Sequence, residues 1–537
     1  MAPPREGRFD GFVHVEDGQL VDGRGRPLVL RGVGLGNWLL REGYMWKFEP
    51  AGPLSSRQIE TFVTELVGPE RGARFWRDFH DRFITEADIA AIAAEGFDHV
   101  RVPINARVVQ TDDGELIEDG LRLIDNVIAW CRAHGLWVIL DLHGAPGGQT
   151  GTNIDDSPNG VPELFTSAPY TKLTIDLWRA LAERYSGETV VAAYDLLNEP
   201  LPNDYQHLYA DELVQLYKDI TAAIREVDSD HAIVYEGTHW STNWDIFTEV
   251  WDPNSILQCH KYWSPPDRPS VQRFVDRGRE LDLPVYMGET GENNAPWLQA
   301  AFQLYDDCGM SWNFWPWKKI ETLTSPCSVD APPGWDAIVA YGRGIGPRPA
   351  ADDAWATLTE LLDAFAVANC TYRTDVVNAI LRRAPLRLAP WAFSFRGRGV
   401  SYETTGAVPL EGFRGDDDVT LVTGTLDEAG APPFWHNAGA SRGADEDILV
   451  RLGPRDWVAY DVEIRDGGDV RVVVVLEPAD NAAALTLTLG ETAATDVLAV
   501  GGTMTASVAG VPAGVNVLRV QAGDAPVLLR WIDVTPV

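Results

Sequence analysis

Cysteine is scarce: Cys131, Cys259, Cys308, Cys327 and Cys370 are the only five in 537 residues, and no two form a CxxC pair. Zinc-ribbon and thioredoxin-like motifs are thereby excluded. An odd, sparse set fits a reducing compartment better than a disulfide framework. Basic residues are also few, with 44 Lys and Arg against 79 Asp and Glu and a formal net charge of −35. Nucleic acid and anionic membrane surfaces suit such a chain poorly, because phosphate binding needs clustered cations. A neutral substrate is favoured over an anionic one. No apolar run is long enough to cross a bilayer, and residues 1–7 lack the apolar core of a signal peptide. A cytoplasmic protein is the expectation, with no membrane and no nucleic acid among its partners.

The chain exceeds one typical core, so two domains are expected. Eight apolar runs recur between residues 28 and 317, at 28–39, 99–104, 137–143, 192–199, 232–236, 256–262, 284–289 and 310–317. Helical patterns separate them, including 85–96, 120–134, 168–185, 205–226, 269–280 and 296–308. In the first of these, Thr85 is placed to cap the helix with Asp88 three positions on. Eight strands alternating with helices point to a closed (β/α)8 TIM barrel. Residues 320–349 read as a long loop and 354–383 as a helical extension, closing a first domain at 1–385. Beyond it, short alternating runs broken by Gly, Asp and Pro predict a smaller all-β sandwich or jelly roll over 386–537. The acidic turn at Asp416, Asp417 and Asp418 reads as a solvated loop rather than a calcium site.

The most informative residues close two of the apolar runs. Asn198-Glu199-Pro200 ends the fourth and Gly288-Glu289-Thr290 the seventh. In a (β/α)8 barrel the C-terminal ends of the strands form the catalytic face. Other polar groups converge there: Arg101 from the second strand, His143 from the third, His260 and Tyr262 from the sixth, Trp315 and Trp317 from the eighth. A strand-borne His or Trp alone is more often core than catalyst. Packing does not predict that all of them gather at one end. Two carboxylates about 5 Å apart can cleave a glycoside with retention, one as nucleophile and one as acid. Arg101 beside Glu289 would favour its carboxylate, and the Tyr262 hydroxyl would hold it. Asn198 suits a sugar 2-hydroxyl, the two histidines suit other hydroxyls, and Trp315 or Trp317 offers a flat face to the ring. Neither a metal nor a cofactor is called for.

This set, in this order, resembles glycoside hydrolase family 5 over residues 28–320. The resemblance implies that Glu199 is the acid/base and Glu289 the nucleophile. The segments Arg31 to Leu39, Asp141 to Gly151 and Ser311 to Lys318 are similar to the exo-β-1,3-glucanase branch. By that likeness Glu42 occupies the position of a glutamate that grips the terminal glucose. The pattern departs at Gly34, Asn37 and Asn105 and in the loop at 152–161. In the second domain, Asp456-Trp457 and the closing run around Trp531 resemble jelly-roll carbohydrate-binding modules, with Trp435, His436 and Asn437 in a loop. An appendage that only covers barrel surface is the favoured reading of that domain. The expected activity is that of a retaining, exo-acting β-glycosidase, a β-glucosidase on short β-glucosides or β-glucan oligosaccharides. A β-mannosidase or a disaccharide-releasing diglycosidase would use the same two glutamates. A catalytically silent sugar-binding protein would not need both.

Overall fold

In the computed structural model, residues 7–408, 410, 412–423, 434, 448–477, 484–500 and 502–537 are described. The loop residues Trp435, His436 and Asn437 lie outside them. Eight parallel strands close a barrel: β1 (Arg31–Gly34), β2 (His99–Asn105), β3 (Trp137–Gly144), β4 (Val191–Asp195), β5 (Ala232–Glu236), β6 (Ser255–Lys261), β7 (Val285–Gly291) and β8 (Ser311–Trp315), with β8 paired to β1. Every residue of β2 through β6 is buried, as expected of strands covered on both faces. This explains why they read as continuous apolar runs.

The first strand is shorter than its run. Its extended part stops at Gly34, and Asn37 adopts a positive φ of 67° as the chain turns across the barrel mouth. This turn carries Glu42 and Tyr44 over the strand ends. Gly34 and Gly36 make room for an aromatic ring here. A Cβ at either position would lie 2.5 or 2.7 Å from the Trp315 indole. The Thr85 capping box forms, with Asp88 accepting from the Thr85 backbone at 3.0 Å.

Two stretches differ from the sequence expectation. Residues 320–349 contain a strand at Cys327–Val329 and a helix at Trp335–Gly342. The stretch 354–383 is two helices, Ala351–Ala364 and Thr374–Leu381. The break comes where Thr371–Tyr372 pairs in antiparallel register with Cys327 and Ser328, a sheet contact that local helical periodicity does not encode.

Among the described residues, two antiparallel sheets form the second domain, one of seven strands and one of five. Its first strand, Leu386–Leu388, pairs with its last, Val527–Pro536. The domain packs on the flank of the barrel. Arg383 bridges Glu95 and Glu463 at 2.6 and 2.8 Å, and Gln303 donates to Asp461 at 3.1 Å. One apolar cluster runs through both domains. Trp457 is buried beneath the Arg519 guanidinium, 3.4 Å from its ring centre. The acidic turn at 416–418 is tied down by arginines, Asp417 to Arg414 at 2.7 Å and Asp418 to Arg398 at 3.2 Å. Among the described residues, no helix is long and apolar enough to cross a membrane.

Candidate active site

A cavity of about 790 Å³ opens at the C-terminal ends of the strands. It is lined by Glu42, Tyr44, His143, Glu199, Tyr262, Glu289 and Trp315 among others. Six glutamates face it (Glu42, Glu49, Glu199, Glu289, Glu292 and Glu321), with Lys47 and Lys319 as the lysines. Lys319 is committed to Glu292 at 2.5 Å and Lys47 to the Glu321 carbonyl at 2.7 Å.

Glu199 and Glu289 meet here. A carboxylate oxygen of each and a ring nitrogen of His260 all lie within 4.8 Å of one another. Glu199 follows β4 in a left-handed conformation, φ 45°, which aims its side chain across the barrel mouth. A positive φ is uncommon for a residue other than glycine, and such strain gathers at functional sites. Glu289 lies within β7. Arg101 donates to its Oε1 at 2.5 Å, and the Tyr262 hydroxyl donates to its Oε2 at 3.0 Å. Burial raises the Glu289 carboxyl above its ordinary value. His260 and Arg101 pull against that, while Glu199 adds to it. Arg101 therefore favours the carboxylate as expected, but with less effect than His260. The carboxylate–imidazole–carboxylate trio has the donor types of a metal site. Its atoms are instead engaged with each other and with Arg101 and Tyr262.

His143 stands beside them with its tautomer fixed. Its Nδ1 donates to Asp141 at 2.7 Å, and its Nε2 accepts from the Asn198 amide at 3.2 Å. Burial pushes its pKa down to about 4, so the ring is neutral at pH 7. Trp315 stacks on it, with ring centres 5.5 Å apart and planes 6° from parallel. The Trp315 indole N–H donates to the Tyr44 hydroxyl at 3.1 Å. Gln149 fastens the layer below by donating to the carbonyls of His143 and Asn198 at 2.7 and 3.0 Å.

Glu42 is 6% exposed and lines the cavity, and among the described residues its carboxyl has no hydrogen-bond or ion-pair partner. Burial raises its pKa well above the ordinary value, helped by Glu289 and Glu292. An unpaired buried carboxyl is costly, and here it faces a cavity where a ligand hydroxyl can pair with it.

Four expected sugar-binding residues sit elsewhere. Trp317 is fully buried away from the cavity, and its indole N–H donates to Asp88 at 3.0 Å. The chain passes Pro316 after β8 ends at Trp315, so the alternation that would turn both tryptophans inward does not continue. Arg101, Asn198 and His260 stand behind the cavity wall. Asn198 is fully buried with Oδ1 taken by Arg101 at 3.0 Å and Nδ2 by His143. His260 Nδ1 lies 2.7 Å from Glu199 Oε1.

The sequence reading missed several residues. Asp141, Asp195 and Glu236 surround Arg101 at 3.2, 2.8 and 3.1 Å, all fully buried. Asp195 was hidden inside an apolar run. Glu236 closes the run Ala-Ile-Val-Tyr-Glu, and the strand-end rule that found Glu199 and Glu289 applies to it equally. Trp240 and Trp263, with positive φ of 59° and 32°, also line the cavity. The Trp240 loop packs on the Glu199 loop, with His239 donating to the Leu201 carbonyl at 3.1 Å.

Comparison with known proteins gives the family of the barrel. Residues 55–320 match the cellulase family, glycosyl hydrolase family 5. A β-xylosidase from Phanerodontia chrysosporium is 28% identical over 348 residues, covering 58% of this chain and 71% of that protein. A probable glucan 1,3-β-glucosidase A from Aspergillus clavatus is 26% identical over 383 residues, covering 60% and 88%. The crystal structure of an endogalactoceramidase aligns with 95% of this chain and 100% of its own, at 15% identity and a TM-score of 0.46.

Proposed function

Because the barrel of this chain belongs to glycosyl hydrolase family 5, we propose that this glycoside hydrolase is a retaining, exo-acting β-glycosidase, with short β-glucosides or β-glucan oligosaccharides as substrates. The observation that carries the reading is the spacing of Glu199 and Glu289, whose oxygens approach within 4.8 Å. A separation of about 5–5.5 Å between carboxyl groups leaves no room for a water between the second carboxylate and the anomeric carbon and suits a covalent route. In that route Glu289 attacks the anomeric carbon while Glu199 protonates the leaving oxygen. Glu199 then takes a proton from water as water releases the sugar from Glu289.

Arg101 and Tyr262 each hold one Glu289 oxygen and aim the other lone pairs at the cavity. Glu42, on the turn after β1, is the group that grips hydroxyls at the non-reducing end. Glu42, Tyr44 and Trp315 line the cavity together, and a grip on the terminal sugar by this group would favour release of single terminal units. Trp240, whose loop packs on the Glu199 loop, stands on the side where the leaving group would lie. The relatives named β-xylosidase and glucan 1,3-β-glucosidase support an exo-acting enzyme on neutral β-linked sugars.

A panel of aryl β-glycosides differing only in the sugar tests the glycone. The β-glucoside should give the highest kcat/KM. A mannoside or xyloside that is turned over better would move the assignment to that sugar. Release of an intact disaccharide would favour a diglycosidase.

A further inference from the structure

Glu236 ends β5, is fully buried and touches no part of the cavity, yet it contacts the supports of both glutamates. Its Oε2 accepts the backbone N–H of Glu199 at 2.8 Å. Its Oε1 lies 3.1 Å from Arg101 Nη2 and 3.4 Å from His260 Nε2, and it also accepts from the Gln258 amide. Arg101 is the same guanidinium that holds Glu289, and His260 is the same imidazole that contacts the Glu199 side chain. One carboxylate thus reaches each of the two glutamates by a separate path.

The backbone contact has a definite task. Glu199 sits at φ 45° and Leu201 at φ 53°, a region that residues with a Cβ rarely adopt. The hydrogen bond that the Glu199 amide donates to the buried Glu236 carboxylate helps fix that turn. The charge has a second task. Glu199 is held through His260 Nδ1, and at the imidazole's other nitrogen stand the Gln258 amide nitrogen at 3.0 Å and Glu236 Oε1 at 3.4 Å, Glu236 being the carboxylate nearest to it.

We propose that Glu236 is the positioning residue of this active site, holding the Glu199 backbone in its turn, anchoring His260 from behind and sharing Arg101 with Glu289. This rests on the roles given above to Glu199 and Glu289.

The surrounding charges fix the sign of the effect. Arg101 faces the group from β2, Asp141 and His143 from β3, Asp195 from β4 with Glu199 just beyond it, and His260 from β6, with Glu289 of β7 across Arg101 and His260. Outside the barrel, Tyr217 donates to the Glu236 carbonyl at 3.0 Å. Burial opposes the charge on His260, but Glu236 and Glu289 outweigh it and hold its pKa well above the ordinary value. Removing the negative charge at 236 lets His260 lose its proton more readily.

The test is Glu236→Gln, which keeps the shape and the acceptor for the Glu199 amide but removes the charge. On an aryl glycoside with a poor leaving group, kcat should fall about 10- to 100-fold, with KM changed by less than about threefold. The basic limb of the pH profile should move to lower pH by about one unit. Glu236→Asp keeps the charge but withdraws the acceptor, so it should lower kcat while leaving the limb in place. Nitrogen-15 NMR of the histidine rings reads the anchor directly. His260 should be doubly protonated at pH 7 in the wild type and lose that state at lower pH in Glu236→Gln. An unmoved limb with unchanged His260 resonances overturns the proposal, as does a kcat loss equal at every pH and matched by a smaller folded fraction. Should Glu236→Gln fail to fold, a neutral His260 in the wild type at pH 7 overturns it equally. Glu199→Ala and Glu289→Ala in the same assays separate the two levels. If Glu289→Ala retains turnover, the assignment of roles is wrong. If both behave as assigned while Glu236→Gln matches the wild type, only the positioning role is.

Discussion

His260 Nδ1 lies 2.7 Å from Glu199 Oε1, so the glutamate proposed as the acid is held by an imidazole standing behind the cavity wall. The same ring nitrogen is 3.9 Å from Glu289 Oε2. One side chain therefore links two carboxylates whose charge states must differ during catalysis.

That division of labour predicts different leaving-group behaviour for the two alanine variants. Glu289→Ala should abolish turnover on every substrate. Glu199→Ala should retain far more activity on a dinitrophenyl glycoside than on an alkyl glycoside, because an activated leaving group needs little acid help. Steady-state rates across a series of leaving groups measure this. Equal losses across the series would contradict the assignment of Glu199.

The barrel was legible because its strands are apolar runs closed by polar residues, and a parallel sheet covered on both faces leaves that signature. Glu199, Tyr262 and Glu289 were legible for the same reason, since they lie just after or near the C-terminal end of a strand, whereas Arg101 lies in the middle of β2 as the one cation of a buried strand. Trp317 was misplaced because its orientation depends on the chain after β8, where strand alternation no longer holds. Asp195 looks like one polar letter inside a strand, and only the fold reveals four acids around a single Arg101. The break in the helical extension at Thr371–Tyr372 depends on pairing with residues more than 40 positions earlier.

Glu42 carries the prediction about the proposed glycone end of the cavity. Losing a charged hydrogen bond to a sugar hydroxyl costs about 2–3 kcal/mol in the transition state. Glu42→Ala should therefore lower kcat/KM by roughly one to two orders of magnitude. It should also blunt discrimination between a glucoside and its 4-epimer, since a site built to pair one hydroxyl rejects an analogue that misplaces it. Kinetics on the two epimeric aryl glycosides checks both effects. An unchanged epimer ratio would remove Glu42 from the glycone site.

Trp317 should matter to stability and not to chemistry. Trp317→Phe removes the hydrogen bond to the buried Asp88, which keeps its ion pair with Lys318 at 2.6 Å. A loss of about 1–2 kcal/mol in denaturant unfolding is expected from that bond, with kcat per folded molecule within about twofold of wild type. A large rise in KM without loss of stability would return Trp317 to the sugar site.

His99 offers a pH test of burial away from the cavity. It is fully buried at the start of β2, its Nε2 lies 2.8 Å from the Tyr286 hydroxyl, and burial pushes its pKa down to about 3. The folded protein then keeps this ring neutral while the unfolded chain protonates it below its ordinary pKa near 6.5. Its contribution is fully present above that value and is lost as pH falls through the window from about 6.5 towards 3. The stability gap between wild type and His99→Gln should move in favour of the variant by about 2 kcal/mol between pH 7 and pH 5. Urea unfolding at the two pH values measures it. A gap independent of pH would show that the ring is charged in the folded state.

The stereochemistry of the first product tests the central claim most directly. Proton NMR recorded during early turnover of the best aryl β-glycoside resolves the anomer before it mutarotates. A double displacement through Glu289, with Glu199 as acid and then base, releases the β-anomer first. Release of the α-anomer would mean a single displacement by water and would contradict the account.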